Sequence, residues 1–166
     1  MSGTRLLWAP WRSKFVRSKK KKGCIFCLKG KTAKDRFIIK KSRFSFALLN
    51  IYPYNNGHIM VSPYRHISDI KGLKDKELLD MMKLTKEMQS LLEEKLNPHG
   101  FNIGINTGEA GGAGYKGHVH IHIVPRWKGD TNFMPVTGDT KVISQSLEEL
   151  YKILTEAKPP YGGLAS

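Results

Sequence analysis

The sequence predicts an α+β domain in which an antiparallel sheet carries one long helix and a C-terminal helix. Three observations lead there: extended segments come as neighbours joined by a turn or loop, one long helical pattern is inserted between them, and strand and helix do not alternate regularly as a doubly wound parallel sheet requires. A chain of 166 residues with 40% hydrophobic content fits one domain with a real core.

Residues 43–51 read as a strand through the mostly apolar run Phe44-Ser45-Phe46-Ala47-Leu48-Leu49, and residues 57–62, Gly57-His58-Ile59-Met60-Val61-Ser62, as a second. The intervening Pro53-Tyr54-Asn55-Asn56-Gly57 is rich in turn formers, so the two strands form an antiparallel pair. From Lys74 to Leu96, Leu78, Leu79, Met82, Met88, Leu91, Leu92 and Leu96 recur at helical intervals among Lys, Glu and Gln. Asn97-Pro98-His99-Gly100 should end that helix, because proline cannot continue it and glycine permits a left-handed stop. Residues 101–106 alternate as a strand, residues 108–117 form a glycine-rich loop, residues 118–124 form the next strand, and residues 146–157 form the last helix. The domain proper is expected over residues 23–157, after an aromatic and basic arm (1–22) and before an irregular tail (158–166).

The chemical signal lies in the strand His118-Val119-His120-Ile121-His122-Ile123-Val124, which holds three of the six histidines of the chain. Side chains alternate across a strand, so the three imidazoles share one face while Val119, Ile121 and Ile123 share the other. Adjacent imidazoles start about 6.6 Å apart along the strand, close enough for neighbours to cooperate and too spread for one ion to be held by all three. An edge strand with an incidentally polar face remains the plain alternative. Imidazole is a nucleophile toward phosphorus and carries a proton near neutral pH. His120, flanked on both sides, is the candidate for attack on a phosphate, and His122 for general-acid help to the leaving oxygen.

The preceding loop, Asn106-Thr107-Gly108-Glu109-Ala110-Gly111-Gly112-Ala113-Gly114-Tyr115-Lys116-Gly117, offers a backbone able to approach phosphate oxygens closely, with Lys116 as an added charge or an ordinary surface lysine. Cys24 and Cys27 are spaced C-x-x-C and, with His66 and His118, form a Cys₂His₂ set suited to structural zinc; buried reduced thiols are the alternative. Zinc would take His118 out of catalysis and fix the strand that bears His120.

The formal charge of +14, from 28 Lys+Arg against 14 Asp+Glu, favours polyanionic partners without choosing among them, and part of it sits in the run Arg17-Ser18-Lys19-Lys20-Lys21-Lys22. No apolar stretch approaches the roughly 20 residues needed to cross a bilayer, and the N-terminus lacks a signal-peptide pattern, so a cytoplasmic protein with no membrane partner is expected.

The motif at 118–124 resembles the H-φ-H-φ-H-φ-φ signature of the histidine triad (HIT) superfamily. Phe46-Ala47-Leu48-Leu49-Asn50 with Pro53, then Gly57 to Pro63 and His66, is similar to that family's nucleoside-binding hairpin, and Asn106 to Gly114 stands in the place of its phosphate loop. Trp8-Ala9-Pro10-Trp11-Arg12, Gly23-Cys24-Ile25-Phe26-Cys27 and residues 125–136 look like the branch of diadenosine tetraphosphate phosphorylases and hydrolases. The resemblance implies an antiparallel sheet of about five strands, a homodimer, and cleavage of dinucleoside polyphosphates through a nucleotidyl-histidine intermediate on His120. It implies that Leu48 and Asn50 line the adenosine pocket, with Asn50 toward the ribose. It gives the phosphates to Asn106 and the loop glycines Gly108, Gly112 and Gly114, with Lys116 and His122 beside them. Related uridylyltransferases carry a Cys₂His₂ zinc whose counterparts are Cys24, Cys27, His66 and His118. Many members have a glutamine in the loop where this chain has Gly111-Gly112-Ala113-Gly114, so backbone N–H groups or Lys116 would replace it. Retention of His122, where the uridylyltransferases have glutamine, argues against a pure sugar-phosphate uridylyltransferase. Two other readings stand beside this one: a basic nucleic-acid-binding module whose histidines only hold metal, and a HIT hydrolase of other conjugates such as adenosine phosphoramidates.

Overall fold

The structure, a computed structural model, describes residues 23–27, 32, 37–131 and 143–156. The aromatic and basic arm, the tail and the family-like residues 132–136 lie outside the described residues. Five strands, β1 (Ile38–Lys41), β2 (Ser45–Leu49), β3 (Ile59–Pro63), β4 (Gly100–Ile105) and β5 (Ile121–Arg126), and two helices, α1 (Asp75–Leu96) and α2 (Leu147–Thr155), follow one another as β1-β2-β3-α1-β4-β5-α2. The sheet order is β1-β2-β3-β5-β4 with every neighbouring pair antiparallel, so the expected α+β architecture is the observed one.

Alternation explains how β2 is buried along its whole length. Ala47 and Leu49 point to the side covered by α1, where Val61, Met81, Leu84, Met88, Leu92, Ile121 and Ile123 form the main core. Phe46 and Leu48 point to the other side, into a smaller apolar cluster with Phe26, Ile38 and Met60. The helix presents to the sheet a stripe at helical spacing, Met81, Leu84, Met88 and Leu92, each at most 2% exposed. Leu79 and Met82 fall off that stripe and are more than half exposed.

Three local details depart from the sequence expectations. The residue that stops α1 in the left-handed conformation is Asn97 (φ 46°, ψ 56°), not Gly100, which opens β4. Pro98 disfavours the right-handed helical region for its predecessor, and asparagine tolerates the left-handed one. Strand β1 had no counterpart in the sequence reading, being a four-residue edge with two lysines and a register irregularity between Ile38 and Lys40. Finally, the ladder of β5 begins at Ile121, three residues later than the histidine pattern suggests. Before it, the Val119 N–H donates to the Ile67 carbonyl (2.6 Å) and the Val119 carbonyl accepts from the Ser62 hydroxyl (3.1 Å), so neither group is available to a neighbouring strand.

The β2–β3 turn is fixed by Gly57, whose φ of +75° and close approach to α1 leave no room for a side chain: a Cβ there would lie 2.7 Å from Leu96 Cδ1. Asn55 ties the same turn to the end of β5, donating to the Pro125 carbonyl (2.9 Å) and to Asp130 (2.8 Å). Among the described residues no helix is long and apolar enough to cross a membrane.

Candidate active site and metal centre

The alternation read from the sequence holds in space. Val119, Ile121 and Ile123 enter the main core, while His118, His120 and His122 share the opposite face, each less than 9% exposed. Hydrogen bonds then assign each imidazole a protonation pattern.

His118 Nε2 lies 2.9 Å from the Pro63 carbonyl, an acceptor only, so Nε2 carries the proton and Nδ1 keeps its lone pair. That Nδ1 faces Cys24 Sγ at 3.3 Å, and His66 Nδ1 faces Cys27 Sγ at 3.4 Å. The pairing of β3 with β5 makes this possible, because His66 follows the end of β3 and His118 precedes the start of β5. The four ligand atoms of Cys24, Cys27, His66 and His118 all lie within 4.8 Å of one another. A tetrahedral zinc with ordinary Zn–S and Zn–N bonds sets sulfur and nitrogen about 3.6 Å apart, so the donor set and its spacing fit zinc. The Nε2–H bond to Pro63 is the outer contact that aims the ring at a metal.

His120 Nδ1 lies 2.8 Å from the His118 carbonyl and therefore bears the proton, leaving Nε2 with a lone pair. Burial holds its pKa below the usual value, against a smaller opposing effect of that backbone bond, so the ring is neutral near pH 7. Phe26, from between the two cysteines, stacks on it with centroids 4.6 Å apart.

His122 is governed by a residue that the sequence reading quoted only as part of the hairpin. His58, 1% exposed, accepts at Nδ1 from the Tyr54 backbone N–H (3.0 Å), with the Asn50 amide also facing that nitrogen at 3.3 Å. Its proton is therefore on Nε2, which donates to His122 Nδ1 at 2.9 Å. His122 must then carry its own proton on Nε2, and that atom is buried without a hydrogen-bond partner. Burial first, and then the neighbouring histidines, push His58 down to about 3; burial, with His120 next, pushes His122 down to about 4. Tyr54 covers the pair, its ring 5.4 Å from that of His122 and tilted by 25°.

The result is a neutral lone pair on His120 beside an unpartnered N–H on His122, in rings whose centroids are 4.7 Å apart. A nucleophile and a hydrogen-bond donor so placed can act on the two ends of one breaking P–O bond.

Leu48 lies on this side of the sheet in the apolar cluster with Phe26 and Met60. Asn50 is 8% exposed, and its side chain accepts from the Tyr52 N–H (2.9 Å) while facing His58, so it orients the relay. In the glycine-rich loop, Gly108 and Gly112 take positive φ (71° and 78°), and Gly111 packs so that a Cβ would sit 2.2 Å from the Thr107 carbonyl. The Asn106 amide donates across the loop to the Gly112 carbonyl (3.4 Å), and Gly114 is exposed. Lys116 is paired with Glu109 at 2.5 Å on an exposed surface, so its charge is already matched within the loop. Tyr115 turns inward and packs on Phe26 beside Cys24; the neighbouring Cys24 first, with burial and Cys27, pushes its pKa up to about 12.

Comparison with known proteins gives a consistent picture. The family model described as "HIT domain" matches residues 31–129. The chain is 39% identical over 120 residues to a protein of Mycobacterium tuberculosis named AP-4-A phosphorylase, a match that covers 72% of this chain and 62% of that relative. It is 37% identical over 89 residues, 54% of this chain and 59% of the relative, to the bis(5'-adenosyl)-triphosphatase of Dictyostelium discoideum. Among solved structures, a zinc-bound histidine triad family protein from Mycobacterium smegmatis superimposes with a TM-score of 0.66 at 26% identity, over 80% of this chain and 91% of that one.

Proposed function

This chain belongs to the HIT domain family, and from that membership and the paired histidine tautomers we propose that it cleaves dinucleoside polyphosphates, with diadenosine tetraphosphate as the first substrate to test. The observation that carries the proposal is the His120 lone pair set beside the unpartnered Nε2–H of His122. The two named relatives act on this substrate class, although the matched segment spans only about three fifths of either.

His120 Nε2 attacks the α-phosphorus, and the P–O bond to the departing polyphosphate breaks as the new P–N bond forms. His122 Nε2–H hydrogen-bonds to the departing bridging oxygen and stabilises the negative charge that builds there, so the polyphosphate leaves as an anion and His122 stays neutral. The nucleotidyl group is then carried on His120, and water or inorganic phosphate displaces it. Both rings are neutral at pH 7 because burial lowers their pKa values, which keeps the nucleophile unprotonated without a separate base. Leu48 and Asn50 take the adenosine side, and Asn106 with the backbone of Gly108, Gly112 and Gly114 takes the phosphates; His122 binds the leaving oxygen. Lys116 contributes field and not direct contact, given its pairing with Glu109.

Cys24, Cys27, His66 and His118 hold a structural zinc in this reading. When bound, the ion would supply a closed four-ligand clamp that fixes the C-x-x-C segment and the start of β5. The homodimer rests on β4, a six-residue sheet edge with Ile103 44% exposed, an edge that a second copy would cover.

Incubation with diadenosine tetraphosphate, with and without inorganic phosphate, tests the function and identifies the acceptor. Attack at the α-phosphorus releases ATP in either case. Phosphorolysis adds ADP and needs phosphate; hydrolysis adds AMP and does not. Absence of any cleavage, or full cleavage by His120→Ala, overturns the proposal.

A further inference from the structure

Four rings touch in sequence on the histidine face of the sheet. Phe26 stacks on His120 with centroids 4.6 Å apart, His120 meets His122 at 4.7 Å, and Tyr54 lies along His122 at 5.4 Å and 25°. The two ends of this series differ. Phe26 is 1% exposed and packs with Leu48 in the smaller apolar cluster, whereas Tyr54 is 53% exposed although His58 and His122 beneath it are buried. Tyr54 is also held in place. Its N–H donates to His58 Nδ1 (3.0 Å) and its ring meets that of His58 at 4.7 Å. The next residue, Asn55, is buried and bonded to the Pro125 carbonyl and to Asp130. An aromatic ring set on a fixed turn, with one side against a histidine pair and half its surface open, is a preformed stacking surface that needs little ordering when a flat ligand arrives.

The position of Tyr54 along the series says which ligand that is. His120 takes the α-phosphorus and His122 faces the leaving oxygen, so a ring lying on His122 stands beside the group that departs. In diadenosine tetraphosphate that group is a flexible triphosphate ending in the second adenosine. We propose that Tyr54 stacks the base of this departing nucleoside, so that the enzyme prefers polyphosphates carrying a nucleoside at both ends. The inference rests on the cleavage reading above and adds to it a site for the second nucleoside. Every base has a π face, so stacking selects for the presence of a far base and not for its identity.

The test compares kcat/KM for diadenosine tetraphosphate with that for adenosine 5′-tetraphosphate, in the wild type, Tyr54→Phe and Tyr54→Ala. The second substrate presents the same P–O bond to His120 but lacks the far nucleoside. Taking the ratio cancels any effect of a substitution on His58 and His122, which both substrates share. Stacking of one base on an aromatic side chain is worth about 5- to 150-fold. The two equivalent α-phosphorus atoms of diadenosine tetraphosphate add a factor of about two, so the wild-type ratio is expected to be at least about tenfold. Tyr54→Phe keeps the ring and should keep the ratio; Tyr54→Ala should lower it to about two, the statistical factor that remains when stacking is lost. A wild-type ratio of only about two, or a Tyr54→Ala ratio equal to that of the wild type, overturns the proposal; in the latter case any loss common to both substrates assigns Tyr54 to the histidine pair alone. A wild type that cleaves neither substrate overturns the cleavage reading and this proposal together, an outcome distinct from cleavage of both without preference.

Discussion

Replacing His58 separates the tautomer relay from simple packing. His58 Nε2–H is the donor to His122 Nδ1 at 2.9 Å in a buried setting, and it is what keeps the His122 proton on Nε2. His58→Leu, of similar volume, removes that donor and leaves His122 Nδ1 buried without a partner. The buried bond that is lost is worth about 1–3 kcal/mol, and with it goes the bias toward Nε2–H: the Nδ1–H tautomer rises from about 1–16% to about half of the molecules if the two otherwise balance. The hydrogen bond from His122 to the leaving oxygen, of a kind typically worth about 10²–10³-fold, is then absent from about half of the molecules, and kcat is expected to fall at least about twofold with KM little changed. His58→Gln places an amide N–H where the imidazole carried its own and should recover most of that loss. Steady-state kinetics on diadenosine tetraphosphate, with nitrogen-15 NMR of the His122 ring to read its tautomer, make the measurement. Wild-type kcat in His58→Leu, or equal losses in both variants, would refute the relay.

Gly57→Ala combines a left-handed φ, which costs about 1–2 kcal/mol outside glycine, with a Cβ 2.7 Å from Leu96 Cδ1, an overpacking typically worth about 1–3 kcal/mol. Urea unfolding should therefore show a loss of about 2–5 kcal/mol, and an unchanged midpoint would contradict the close approach. Stability should also fall in acid. His58 and His122 are held at about 3 and about 4 in the fold against 6.5 when free, burial being the main cause. Below pH 6.5 the unfolded chain thus binds protons that the folded one refuses, and stability is lost progressively down to about pH 3. Thermal unfolding between pH 7.5 and 4.5, run on wild type and His58→Gln, should show the variant losing less; parallel curves would contradict the assignment. Ile103→Lys puts a charge on the β4 edge and should convert a dimer to a monomer in light scattering, whereas an unchanged mass would remove β4 from the interface.

What the sequence showed was what periodicity controls. The alternation at residues 118–124 placed the apolar side chains in the core and the imidazoles together, and the apolar stripe of α1 set its face toward the sheet. The C-x-x-C pair and the two distant histidines met as expected because β3 and β5 are antiparallel neighbours. Spacing was silent where function depends on a contact across the fold. His58 stands alone just before β3, and its role exists only because Met60 pairs with His122 and brings the rings together. A histidine on the face shared with the 118–122 row was the available signal. Phe26 was hidden for the same reason, since it stacks on His120, far away in the chain. Lys116 shows the converse: its charge was visible, its pairing with Glu109 was not.

The central claim is that His120 carries the nucleotidyl group. Mixing enzyme with diadenosine tetraphosphate, quenching in alkaline denaturant to preserve a P–N bond, and mapping peptides by mass spectrometry tests it directly. One nucleotidyl group on His120 during turnover, absent from His120→Ala, is the expected result. Rapid turnover with the group on another residue, or undiminished in His120→Ala, would contradict it.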